Sequence, residues 1–109
     1  MKLAIALDGD TVSAHFGHCE KYAIFHVDGV NVTQYEDLKS PGHEPGKLPV
    51  FLAEQQVNLV IAGGMGPKAV ELFSQRGIDV LLGVTGTADL VAKQYAAGLL
   101  KPGESSCHH

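Results

Sequence analysis

Arginine is nearly missing from this sequence. Arg76 is the only one, and with the lysines it gives 8 basic residues against 12 acidic ones, a formal net charge of -4. A face that grips a phosphate backbone needs clustered Lys and Arg, so nucleic acid is excluded as a partner. Phe and Tyr are scattered among apolar segments rather than interleaved with basic residues, which removes the single-strand binding pattern too. Long apolar runs are also lacking. Residues 59–62 make a strand-sized run, far short of the ~20 residues of a membrane span. The opening Met-Lys-Leu-Ala-Ile-Ala-Leu meets Asp8 too soon for the apolar core of a signal peptide. The expectation is a cytoplasmic protein without a membrane segment.

Cysteine is scarce as well, with Cys19 and Cys107 far apart, and a cytosolic pair is more often free, catalytic or metal-binding than a structural disulfide. A chain of 109 residues with 45% hydrophobic content can bury about two thirds of its unfolded surface around one core. It therefore needs neither a disulfide nor a structural metal, and a metal site would be functional. One domain over residues 1–100 is expected, with 101–109, which has no apolar periodicity, as a mobile tail.

What is present reads as alternating strands and helices. Residues 2–7 are mostly apolar and predict a buried central strand ended by the Asp8-Gly9-Asp10 turn. Residues 22–27 and 30–35 predict two strands joined by Asp28-Gly29, a hairpin signal. The prolines and glycines of 37–49 predict a loop, then a helix over about 48–56 with Pro49 in its first turn. Strands are expected at 57–62 and 78–84. Helices are expected from Pro67 to about Gln75 and from Thr87 to about Ala97. The order gives an α/β fold with a five-stranded mixed sheet, an antiparallel hairpin beside a parallel half, and helices covering the faces.

Four of the six histidines flank the two cysteines. His15-Phe16-Gly17-His18-Cys19 sets two imidazoles and a thiol within five residues, donors suited to zinc, copper, iron and metal-sulfur clusters. The alternative is that His15 and His18 are exposed loop residues and Cys19 a small buried side chain. Cys107-His108-His109 is the obvious second donor group, or else a disordered end or tag remnant. Gly63-Gly64-Met65-Gly66-Pro67 leads into a helix N-terminus, where backbone N–H groups favour an anion such as a sulfide cluster; a tight strand-to-helix turn is the plainer reading. It matches neither dinucleotide nor P-loop spacing. Asp8 and Asp10 are explained by their turn, and His43-Glu44 by an exposed loop. No Ser-His-Asp or Cys-His-Asn set emerges, and adjacent Cys19 and His18 lack a third group to orient them as nucleophile and base. The expectation is a binding protein, not an enzyme.

These motifs together resemble the dinitrogenase iron-molybdenum cofactor biosynthesis family. The resemblance rests on the strand at 2–7, the His15 to Cys19 segment, Leu59-Val60-Ile61-Ala62, the turn from Gly63 to Ala69, and the Cys-His-His end. It implies a ribonuclease-H-like three-layer fold without ribonuclease activity. It also implies binding or carriage of an iron-sulfur or molybdenum-containing cluster, exchanged with donor or acceptor proteins in support of nitrogen fixation. By position it implies His15, His18 and Cys19 as the cluster-facing set, the amides of Gly63, Gly64, Met65 and Gly66 as supports, and Cys107, His108 and His109 as a second group. The rival is a mononuclear zinc or copper regulatory module built from the same donors.

Overall fold

The computed structural model describes residues 1–16, 19–39 and 47–100. Its elements run β1 (Lys2–Asp8), β2 (Thr11–Val12), β3 (Lys21–Asp28), β4 (Asn31–Lys39), α1 (Lys47–Glu54), β5 (Leu59–Ile61), α2 (Pro67–Gln75), β6 (Asp79–Leu81) and α3 (Ala88–Ala96). The strands form one mixed sheet in the order β4-β3-β1-β5-β6, with β2 paired to the end of β1. β1, β5 and β6 are parallel, while β3 and β4 are antiparallel additions on the other side of β1.

Among the described residues the expectation of five strands is corrected to six, and a single-residue bridge between Thr11 and Thr87 adds a further pairing. β2 is two residues long and has no hydrophobic pattern of its own. It exists because Leu7 pairs with Val12 and the Val12 amide donates to the Gly86 carbonyl, a partner far along the chain. β4 runs on to Lys39, into residues expected to be loop. Backbone pairing to β3 carries it past a bulge, where Gln34 faces Phe25 but Glu36 faces Ile24. The hairpin loop is Gly29-Val30, one residue later than expected, with Gly29 in the left-handed region at φ 64°. α1 ends at Glu54 rather than Gln56, because Gln56 adopts φ 63° and the Val57 amide turns back to the Leu52 carbonyl.

β1 is buried on both faces, so its alternation is one of size rather than polarity. Leu3, Ile5 and Leu7 meet Ala23, Phe25, Leu59 and Ile61 under α3, which adds Val91 and Ala92. Ala4 and Ala6 face the other way, into a cluster with Phe16, Cys19, Tyr22, Ile24 and Val60 covered by Leu48 and Leu52 of α1 and Phe73 of α2. Helices thus cover both faces of the sheet. Among the described residues, no helix is long and apolar enough to cross a membrane.

Candidate functional site

The three parallel strands end on the same edge of the sheet, and the segments that follow them are tied together by backbone hydrogen bonds. The Ser13 amide donates to the Ala6 carbonyl at 2.7 Å, and the Ser13 carbonyl accepts from the Gly63 amide at 2.7 Å. The Phe16 amide donates to the Gly64 carbonyl at 3.0 Å, and the Gly83 amide to the Gly63 carbonyl at 2.9 Å. Residues 13–16 are therefore pinned between the end of β1 and the glycine-rich turn after β5.

This pinning fixes His15. The Ser13 side chain is 1% exposed, and its hydroxyl closes a local turn: Oγ donates to the His15 carbonyl and accepts from the His15 amide, both at 3.2 Å. The main chain of His15 is clamped while its imidazole is exposed to solvent. An exposed imidazole on a fixed backbone has a metal-binding nitrogen available without reordering the chain.

Phe16 and Cys19 point the other way. The Phe16 ring lies 5.5 Å from Tyr22, tilted by 51°, and 5.3 Å edge-on to Phe73. The Tyr22 hydroxyl donates to the Phe16 carbonyl at 3.4 Å, and the Cys19 amide reaches the same carbonyl at 3.5 Å. Cys19 is 2% exposed and belongs to the packed cluster under α1 and α2. Burial pushes its thiol above the ordinary range; a hydrogen bond with Tyr22 opposes this, the Asp8 carboxylate reinforces it, and backbone hydrogen bonds oppose it again. The folded state thus holds the thiol proton more tightly than the unfolded chain does. That contribution is fully present below the unfolded thiol pKa of ~8.5 and is lost as pH rises through the higher folded value. Unfolding free energy in urea is expected to decline above that pH, by up to about 1.4 kcal/mol per pH unit from this group, and Cys19→Ala should remove that part of the slope. An identical pH profile for both proteins would refute the assignment.

The glycine-rich turn serves backbone proximity first. A Cβ on Gly63 would lie 2.9 Å from both the Ala14 Cα and the Ser13 carbonyl oxygen, and one on Gly64 would lie 2.7 Å from the Ala14 oxygen. The Gly63 amide is already committed to Ser13. Gly66 has open space around it and is the N-cap of α2, with Pro67 following and no side-chain capping bond. Met65 is half-buried and packs against the cluster that holds Phe16 and Cys19, so a thioether joins the soft groups around this edge.

The structure thus brings His15, Cys19, Gly63, Gly64 and Met65 into one region. His18, Cys107, His108 and His109 lie outside the described residues, as does His43-Glu44. Among the described residues no three His, Cys, Asp or Glu side chains converge as a metal-holding group. Asp8 acts in its turn, accepting from the Glu20 amide at 3.1 Å. Asp10 lines a separate open cleft of about 380 Å³ beside Lys21, Asp37 and Asp89, where Lys21 and Asp37 pair at 3.5 Å. Sequence reasoning missed Ser13 and Tyr22. A Ser two residues before a His is a signal for the local turn; nothing local marks the tyrosine.

A family model described as dinitrogenase iron-molybdenum cofactor matches residues 1–98. An uncharacterised protein of Methanocaldococcus jannaschii is 33% identical over 106 residues, covering 93% of this chain and 90% of that protein. The crystal structure of the protein PH0822 superposes with a TM-score of 0.89 at 33% identity, covering 95% of this chain and 96% of the other. The apo form of the orange protein from Desulfovibrio gigas shares the fold, with a TM-score of 0.75 at 21% identity and coverage of 95% and 93%.

Proposed function

The chain belongs to the dinitrogenase iron-molybdenum cofactor family, and on that premise we propose that it binds a metal-sulfur cluster as cargo and hands it on during cofactor assembly. The observation that carries this reading is His15, an exposed imidazole whose backbone is clamped by Ser13 and by the neighbouring Gly64 contact of Phe16. A nitrogen donor held in place at the rim of the parallel strands meets an incoming cluster with little ordering cost. Cys19 packs in the core beside Phe16 and Tyr22, and its sulfur is the second donor in this reading.

Transfer calls for few protein ligands, since every additional bond must be broken on release. Imidazole and thiolate match iron and molybdenum-sulfur chemistry. His18 and the Cys107-His108-His109 group complete the donor set in this reading, and the Gly64 to Gly66 turn borders the cargo. The reading assigns the chain no catalytic step, a cytoplasmic location, and donor or acceptor proteins of cluster assembly as partners, with nitrogen fixation as the setting. With the short β2 set aside, the strands lie in the order third, second, first, fourth, fifth, which supports a ribonuclease-H-like description of the fold.

Anaerobic incubation with ferrous iron, sulfide and molybdate, followed by gel filtration, tests the proposal. Coloured protein eluting with iron, molybdenum or both, together with acid-labile sulfide, is the expected result. Protein that instead takes up stoichiometric zinc or copper and retains no labile sulfide is a mononuclear metal module, and the cluster reading falls.

A further inference from the structure

We infer that the thioether of Met65 is a metal donor beside the His15 imidazole, and that the pair favours a soft, sulfur-seeking metal, copper(I) over zinc. The inference rests on the reading of His15 as a donor and adds the character of the metal it meets. Within residues 63–66 the glycines have backbone duties. Gly63 and Gly64 admit the main chain of Ser13 and Ala14, and Gly66 is the N-cap of α2. Met65 alone in this turn carries a side chain larger than hydrogen, so the side-chain chemistry offered there is that of a thioether. The other methionine of the sequence, Met1, pairs with Val27 at the opposite end of β1.

Backbone geometry sets the two donors side by side. The Gly63 amide donates to the Ser13 carbonyl at 2.7 Å and the Phe16 amide to the Gly64 carbonyl at 3.0 Å, so residues 13–16 and 63–65 advance along one another in the same direction. The second bond joins the peptide group between His15 and Phe16 to the one between Gly64 and Met65. His15 and Met65 therefore leave the main chain from neighbouring peptide groups. The imidazole is exposed, and the methionine is half-buried against the cluster that contains Phe16. Unbranched and with three rotatable bonds, a methionine side chain can swing its sulfur toward the rim without moving the backbone. A thioether also has no proton to lose before it binds, whereas a thiol has. Imidazole with thioether is a donor set for copper(I); zinc is held by imidazole, thiolate and carboxylate.

Selenium makes the test specific to methionine. All arms use the full chain with Cys107→Ser, so that this thiol does not compete for copper. Protein grown with selenomethionine is given an equivalent of copper(I) under anaerobic conditions, and selenium K-edge X-ray absorption is expected to show copper as a direct neighbour. Met65→Leu conserves volume, leaves selenium only at residue 1 and should lose that neighbour. In unlabelled protein Met65→Leu and His15→Ala should each weaken copper(I) binding about tenfold or more against a chromophoric chelator, while Met65→Leu leaves zinc affinity at the starting value. A selenium spectrum without copper, a copper neighbour that persists in Met65→Leu, undiminished copper(I) affinity in His15→Ala, or an equal loss of zinc and copper(I) in Met65→Leu each overturns the inference. None of these arms uses the cluster. If iron, sulfide and molybdate yield no cluster on the wild-type protein, the proposed function falls, and the copper measurements still decide whether Met65 is a donor.

Discussion

Replacing His15 by alanine is expected to lower cluster retention at least tenfold while leaving the stability of the protein within about 0.5 kcal/mol of wild type. The two halves of that expectation come from different atoms. The imidazole is exposed and does not contribute to the packed core. The hydrogen bonds that order the segment run through the His15 amide and carbonyl to Ser13, and an alanine backbone makes them equally well. Loss of a metal-donor nitrogen should exceed the ~10- to 100-fold cost typical of losing an outer-shell partner of a ligand. The measurement is iron and sulfide retained after gel filtration against a competing chelator, with urea unfolding of the metal-free proteins as the control. Equal retention by the variant would remove His15 from the site.

A larger effect on stability is expected from Gly64→Ala. The new methyl would stand 2.7 Å from the Ala14 carbonyl oxygen, a backbone atom that cannot rotate aside as a flexible side chain would. Relief requires residues 13–16 to move away from the turn, loosening the bond from the Phe16 amide to the Gly64 carbonyl. Overpacking of this kind costs about 1–3 kcal/mol, and for a domain of this size each kcal/mol lowers the melting temperature by about 4–8 °C. Because the displaced residues include His15, cluster uptake should fall along with the melting temperature. Gly66→Ala is the matched control: a Cβ there meets nothing within 4 Å, so only the modest loss from a poorer N-cap, about 0.5–1 kcal/mol, is expected. Calorimetric melting of the two variants side by side decides the matter. A Gly64→Ala protein melting with wild type would mean that the glycine is not needed for loop contact.

Local pattern was enough for the elements that carry their own signal. The apolar run of β1, the glycine at the hairpin, and Pro67 ahead of α2 are readable one segment at a time. What sequence could not supply depends on partners distant along the chain. β2 is a strand only because Leu7 and Gly86 pair with it, and the far end of β4 is a strand only because β3 lies alongside. The density of donors from His15 to Cys19 was plain. The divergence within it was not, since His15 is turned to solvent by a serine two residues earlier and Cys19 is drawn inward beside Tyr22 and the Phe16 plug. The glycine-rich turn left an anion cradle open beside the plainer reading of a tight connection. Deciding that Gly63 and Gly64 admit the backbone of Ser13 and Ala14 requires knowing which residues, some fifty positions earlier, lie against them.

The two alanines of the central strand set the volume in which this edge of the protein is built. Ala4 and Ala6 leave space on one side of β1, and Tyr22, Phe16 and Phe73 occupy the same packed layer. Bulk has been moved from the strand to the rings beneath the loop. A lineage that enlarged residue 6 would have to shrink a ring in compensation, and with it the foundation on which the His15 segment rests. The size of a methyl group in the middle of the sheet thus sets how far the rim can drift over evolutionary time.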